Sequence, residues 1–152
     1  MQNTRSNQTN HLATTSLHWP LALLLLIGVQ TLVQADPATY WSEVAGRINA
    51  QIDRAEQAYA SGDTKTARRA VIAAYFGEFE GSKMEAAMRM EIGAKPTWRS
   101  ERQFGQLRKA IKNGANQEEI ATITTAIRHS MKEGAAQLDK AGITPEVFEV
   151  NQ

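Results

Sequence analysis

From Tyr40 onward, apolar positions recur at steps of three and four. Tyr40, Val44, Ile48, Ile52, Ala55 and Tyr59 draw one stripe along a first helix. Gly62 ends that stripe, and Asp63 or Thr64 can cap the next helix. A second helix is predicted from about Thr64 to Ile92, stopped by Gly93 and Pro96. Thr97 or Ser100 opens a third, whose buried face is Phe104, Leu107 and Ile111, and Gly114 ends it. Asn116 followed by Glu119 reads as a capping box for a fourth helix. Ile120, Ile123, Ile127, Met131 and Leu138 line that helix, with Gly142 after it. No alternating apolar run and no Asn-Gly hairpin signals a strand. The expectation is an all-α domain over 36–142, a small up-down four-helix bundle. Residues 143–152 read as an irregular tail, from which Val147 and Phe148 could pack back.

The pattern before Tyr40 is different. Residues 1–20 are polar, with Arg5 as the one formal positive charge, and Leu21–Val29 is an apolar run. Val33-Gln34-Ala35 fits a small-residue cleavage site, so 1–35 is predicted to be a signal peptide cut before Asp36. The run is shorter than the ~20 residues that a spanning helix needs, which leaves an uncleaved N-terminal anchor as the alternative. Either way the domain is expected outside the cytoplasm, periplasmic or otherwise exported. The chain has no cysteine, which excludes disulfide staples and thiolate metal sites. It carries 17 basic and 16 acidic side chains, and loss of the leader removes Arg5 alone. A balance of this kind argues against a nucleic-acid surface, which needs a basic patch.

One stretch strains the helical pattern. "YFGEFEGSKMEAAMRMEIG", residues 75–93, puts Gly77 and Gly81 among Glu78, Glu80, Glu85 and Glu91. On a regular wheel Val71, Ile72, Tyr75, Phe79, Ala86 and Met90 share one face. Glu78 and Glu85 then sit on one flank, with Arg89 four residues after Glu85, and Glu80 and Glu91 fall on the other side. That arrangement scatters the glutamates as solvated charges. A π-bulge near Gly81-Ser82 changes it. One extra residue brings Glu80 and Glu85 toward one face and turns Met84 and Met88 to the core. With Glu101 from the next helix, the carboxylates would form a hard oxygen site for a divalent or trivalent cation. The spacing leaves both readings open.

Other constellations are weaker. His129, the one histidine after the leader, lies opposite Ile127 and should face solvent. Met84, Met88 and Met131 could form a soft copper site, but methionine at helical spacing is usually core filler. Trp41 and Trp98 read as bundle-end or interface residues. No nucleophile with an adjacent base, Gly-rich phosphate loop or HExxH motif occurs, so an enzyme is not expected.

The segment "AAYFGEFEGSKMEAAMR" resembles part of the extracytoplasmic N-terminal domain of the bacterial high-affinity iron permease family. There an aromatic pair precedes Phe-Glu, and Met-Glu-Ala follows. "YWSEVAGRINAQIDRAEQAYASGDTKTARRAV" is similar to the lead-in helix and turn of that domain. "ERQFGQLRKAIKNGA" is similar to the helix that follows, with Glu101, Phe104, Leu107 and Arg108 in the matching places. The resemblance runs from about Tyr40 to Asp139. It implies a periplasmic helical domain serving iron uptake. Glu80, Glu85 and Glu101 match its acidic positions as iron ligands, and Glu78 is a less secure fourth. Two departures stand out. The Arg-Glu-Gly motifs of the family's membrane helices are missing, which implies a detached domain beside a separate membrane permease, or a truncated gene. Ser82-Lys83 precedes Met84 where glycine is common. A metal-free module docking on a transporter, a copper protein using Met84, Met88 and His129, and a homodimer sharing a metal at a bundle face remain alternatives.

Overall fold

Glycines in left-handed backbone divide the chain. In the computed structural model, which describes residues 39–148, Gly62, Gly93, Gly114 and Gly142 all have positive φ. Glycine takes that region without the Cβ clash that stops other residues. Between these points lie five α-helices. They are α1 (Tyr40–Ala60), α2 (Thr64–Ile72), α3 (Met84–Glu91), α4 (Ala94–Asn113) and α5 (Gln117–Ala141). A π-helix, Ala73–Glu80, joins α2 to α3, and a 3₁₀ turn spans Pro145–Phe148. Among the described residues there is no strand, so the chain is all-helical as expected. No helix among them is long and apolar enough to cross a membrane. The predicted signal segment and its cut lie outside the described residues.

The caps follow the sequence closely. Asp63 accepts from the Thr66 amide at 2.9 Å, and Asn116 accepts from Glu119 at 2.8 Å. The start of α1 is capped from a distance. Thr39 offers it no side-chain cap, and Asp139 near the end of α5 accepts from the Trp41 and Ser42 amides at 2.9 and 3.0 Å. Free helix-terminal amides carry partial positive charge, so a carboxylate there satisfies donors and complements the dipole. Trp41 is fully buried beside this cap. Its indole donates to the Ile143 carbonyl at 2.6 Å, and Phe148 meets its ring edge-on at 6.5 Å. Part of the tail therefore packs back as an ordered 3₁₀ turn, while Val147 stays exposed.

The core is the predicted one for most of its length. Val44, Ile48, Ile52 and Ala55 of α1 meet Ile120, Ile127, Met131 and Leu138 of α5 in one cluster with Phe104, Leu107 and Ile111 of α4. Each large side chain buried this way contributes about 1.5–3 kcal/mol. α1 packs against α2, the π-helix and α5; α4 packs against α2, α3 and α5.

The second arm departs from the regular wheel. Met84 and Met88 are buried, whereas Met90 is 53% and Ile72 is 41% exposed. The π-helix wraps more residues into each turn, and the turn at Gly81–Lys83 adds a left-handed step at Lys83, with φ 64°. Together they rotate the face of α3. Met88 then fills the space over Gly134 of α5, where a Cβ would lie 2.8 Å from its sulfur. The expected irregularity is present, but as a full π-helix ending before Gly81 and not as one bulged residue.

α4 also begins earlier than expected. Pro96 sits inside its first turn, where the missing N–H has no helical partner to lose. Thr97 and Ser100 do not cap it. Both are buried within it, and their hydroxyls donate back to the Gly93 and Pro96 carbonyls at 2.9 and 3.4 Å.

The two glycines of the π segment have opposite reasons. A Cβ on Gly81 would sit 2.3 Å from the Gly77 carbonyl oxygen, while a Cβ on Gly77 meets nothing within 4 Å. Gly81→Ala should therefore destabilise the fold by about 1–3 kcal/mol through overpacking. Gly77→Ala should be neutral or stabilise by up to about 1 kcal/mol through helix propensity. Urea denaturation midpoints of the two variants test the contrast.

Candidate functional site

The π-helix decides where the glutamates go. It closes with the Gly81 amide donating to the Phe76 carbonyl at 3.1 Å, five residues back. Within it, Tyr75 stacks toward the core against Phe104 of α4, with ring centroids 5.4 Å apart. Glu80 lies near enough to the Tyr75 hydroxyl for its charge to raise the tyrosine pKa. Glu85 opens α3 and Glu101 stands in the second turn of α4. Arg89 spans the last two. Its Nη2 donates to Glu101 Oε1 at 2.7 Å and to Glu85 Oε1, and its Nε donates to Glu85 Oε1 at 2.9 Å.

The three carboxylates share one electrostatic environment. Burial pushes the Tyr75 hydroxyl up from its ordinary pKa, and the charges of Glu80, Glu101 and Glu85 all add to the shift. The Glu101 carboxyl is also raised, first by burial; Arg89 opposes the rise, while the neighbouring Glu85 carboxyl and the charge of Glu80 add to it. Like charges held this close favour a shared proton or a shared cation. Arg89 supplies that cation here. Its side chain is 52% exposed, against 22% for each of Glu85 and Glu101. A half-exposed guanidinium thus stands against two largely sheltered carboxylates.

Of the three acids expected together, Glu85 and Glu101 meet at Arg89, while Glu80 ends the π-helix near Tyr75. Glu78 does not join them. It faces α1, where Arg47 donates to it at 2.8 Å and also reaches Ser82 at 3.2 Å. Glu91 is exposed. Of the copper candidates, Met84, Met88 and Met131 are buried in the core and His129 is on the surface beside Glu133. Tyr75, and the reach of Arg89 to Glu101, were not anticipated. The Tyr75–Glu80 step of five residues was the available signal, since only a π turn makes those two neighbours.

Among the described residues, no group of three His, Cys, Asp or Glu side chains stands converged for a metal ion. Glu85 and Glu101 are instead bridged by the Arg89 guanidinium. Comparison with protein-family models, curated proteins and solved structures returns no match.

The raised Glu101 carboxyl gives a pH test. An acid whose folded pKa exceeds its unfolded value favours the fold when protonated, and that contribution fades as pH rises through the folded pKa. Side-chain carboxyl NMR should place Glu101 above the ordinary glutamate value of 4.5. In Arg89→Gln it should titrate higher still, because the one opposing charge is gone. A fall in that variant would contradict the assigned geometry.

Proposed function

We propose that the chain is an exported, non-catalytic domain of iron uptake. It holds iron through Glu80, Glu85 and Glu101 and passes it to a separate membrane permease. The observation that supports this reading is that Arg89 joins Glu85 of α3 to Glu101 of α4, just after the π-helix that ends in Glu80. All-oxygen donors suit a hard cation such as ferric iron, and ferrous iron tolerates them. Transfer to a partner favours a site that releases its ion, and the tethered guanidinium of Arg89 provides a competing cation. In this reading the arm from α2 through the π-helix to α3 counts as one bent member of a four-helix bundle. The resemblance to the iron permease family's extracytoplasmic domain supports the same reading from the sequence.

A second reading has its own support. Phe76, Met90 and Trp98 are each more than half exposed. Large apolar residues at the surface favour a docking role, so the domain would act as a metal-free module on a transporter.

Titration of the purified protein with ferrous, ferric and cuprous ions separates the readings. The expected result is saturable iron binding, weakened at least about tenfold in each of Glu80→Gln, Glu85→Gln and Glu101→Gln, and unchanged in Glu78→Gln. The size follows from loss of one charged ligand, roughly 1.4 kcal/mol or more. Absence of saturable iron binding in the wild type would sink the proposal. Cuprous binding that survives the glutamine changes but fails in Met84→Leu would move the assignment to copper. Capture of a membrane partner that ignores added metal would favour the docking module.

A further inference from the structure

A cavity of about 200 Å³ opens between the π-helix arm and α4. Tyr75, Phe76 and Phe104 line it, and so does Gly105, which is itself exposed. The two ends differ in charge. Glu101 lies at one and Arg108 at the other, seven residues apart on α4, about 10 Å along the helix. Glu101 is already engaged by Arg89, through Oε1. Arg108 forms no ion pair among the described residues.

Gly105 is the residue that the fold does not explain. It sits within α4, far from either end, where glycine is disfavoured relative to alanine. It is not among the glycines with positive φ, and a Cβ there would meet nothing within 4 Å. Neither backbone conformation nor a close neighbour calls for glycine. Its missing side chain leaves this part of the cavity's lining open. The exposed outer wall agrees with this. Ile72 and Phe76 are 41% and 52% exposed at the mouth, where they present apolar surface beside an uncommitted guanidinium.

We propose that this cavity binds a small, flat, monocyclic acid that carries a hydrogen-bond donor at the opposite end. The ring lies over Gly105 among Tyr75, Phe76 and Phe104. The ligand's carboxylate pairs with Arg108, whose planar fork suits a bidentate carboxylate. Its hydroxyl or amine donates to Glu101, which keeps acceptor capacity beyond the bond to Arg89. A single six-membered ring substituted at opposite ends spans the distance between the two groups. A ring with one acidic group has about ten non-hydrogen atoms, which sets affinity on the order of 0.1–1 mM. The site shares Glu101 with the iron reading but does not need a metal, so its test runs with chelator present and no added metal.

The probe is 4-hydroxybenzoate, titrated into the full chain and followed by backbone amide NMR. Saturable shifts should centre on 71–76 and 101–108. Phenol lacks the acid and benzoate lacks the donor, so each should bind at least about fivefold more weakly. Gly105→Leu fills this part of the cavity and should abolish binding without lowering the thermal midpoint, since its Cβ has room. Arg108→Gln should weaken binding at least about tenfold and leaves Gly105 in place, so the test stands even if the leucine variant folds poorly. Absence of saturable binding to the wild type overturns the proposal. So does binding that persists unchanged in Arg108→Gln, or binding of phenol as tight as that of the acid.

Discussion

The clearance between Gly81 and the Gly77 carbonyl is the constraint from which the second arm is built. No side chain fits there, so the backbone can close the π-helix on Phe76 and turn at once through Lys83. That turn sets the rotation of α3. The rotation places Met84 and Met88 in the core against α5 and leaves Met90 outside. It also sets Glu85 beside Glu101, with Glu80 near Tyr75. A regular helix over the same residues would bury Met90 and separate the glutamates. Core packing and the acidic face thus have a single backbone cause, and the burial of two methionines stabilises a conformation that local propensity disfavours.

The acidic face shows how that conformation is balanced. Two carboxylates about 5 Å apart repel by roughly 3 kcal/mol at an effective dielectric near 20, and water at a half-exposed site lowers this further. Arg89 offsets the repulsion with one flexible cation. A rigid, buried counter-charge would fix the face permanently. A half-exposed guanidinium offsets it while staying in contact with solvent. The α1–α5 network is the contrast within the same molecule. Arg128 pairs with Asp53 and Glu56, Thr124 donates to Glu56, and the Arg128 side chain is only 30% exposed.

Much of this was legible in the sequence where one rule acted alone. The stripe on α1, the Asp63 and Asn116 caps and the glycine stops depend on local chemistry, and each appears at the expected residue. The start of α4 misled because Pro96 reads equally as a stop and as a first-turn residue. The wheel of the second arm failed because it assumes a constant angle per residue, and eight π-helical residues break that assumption. The approach of Glu85 to Glu101 was reachable once an irregular turn was considered. The separation of Glu78 was not, since it depends on Arg47, thirty-one residues away on α1. Long-range partners such as Asp139 at the start of α1 lie beyond any local pattern for the same reason.

α4 then carries the consequences. A helix fixes the spacing of its side chains, so Glu101, Phe104, Gly105 and Arg108 hold their relative positions whatever the second arm does. The π-helix supplies the variable partners: Tyr75 lies near Glu80 and against Phe104. Because Tyr75 belongs to both neighbourhoods, a change in the π turn would move the acidic face and the cavity wall together. A rearrangement of Arg89 alone would alter the first and leave the second in place. The two regions are thus coupled through backbone geometry at Tyr75 and separable through side-chain chemistry at Arg89 and Arg108. Glu101 lies on the border of both, since it pairs with Arg89 and also lines the cavity.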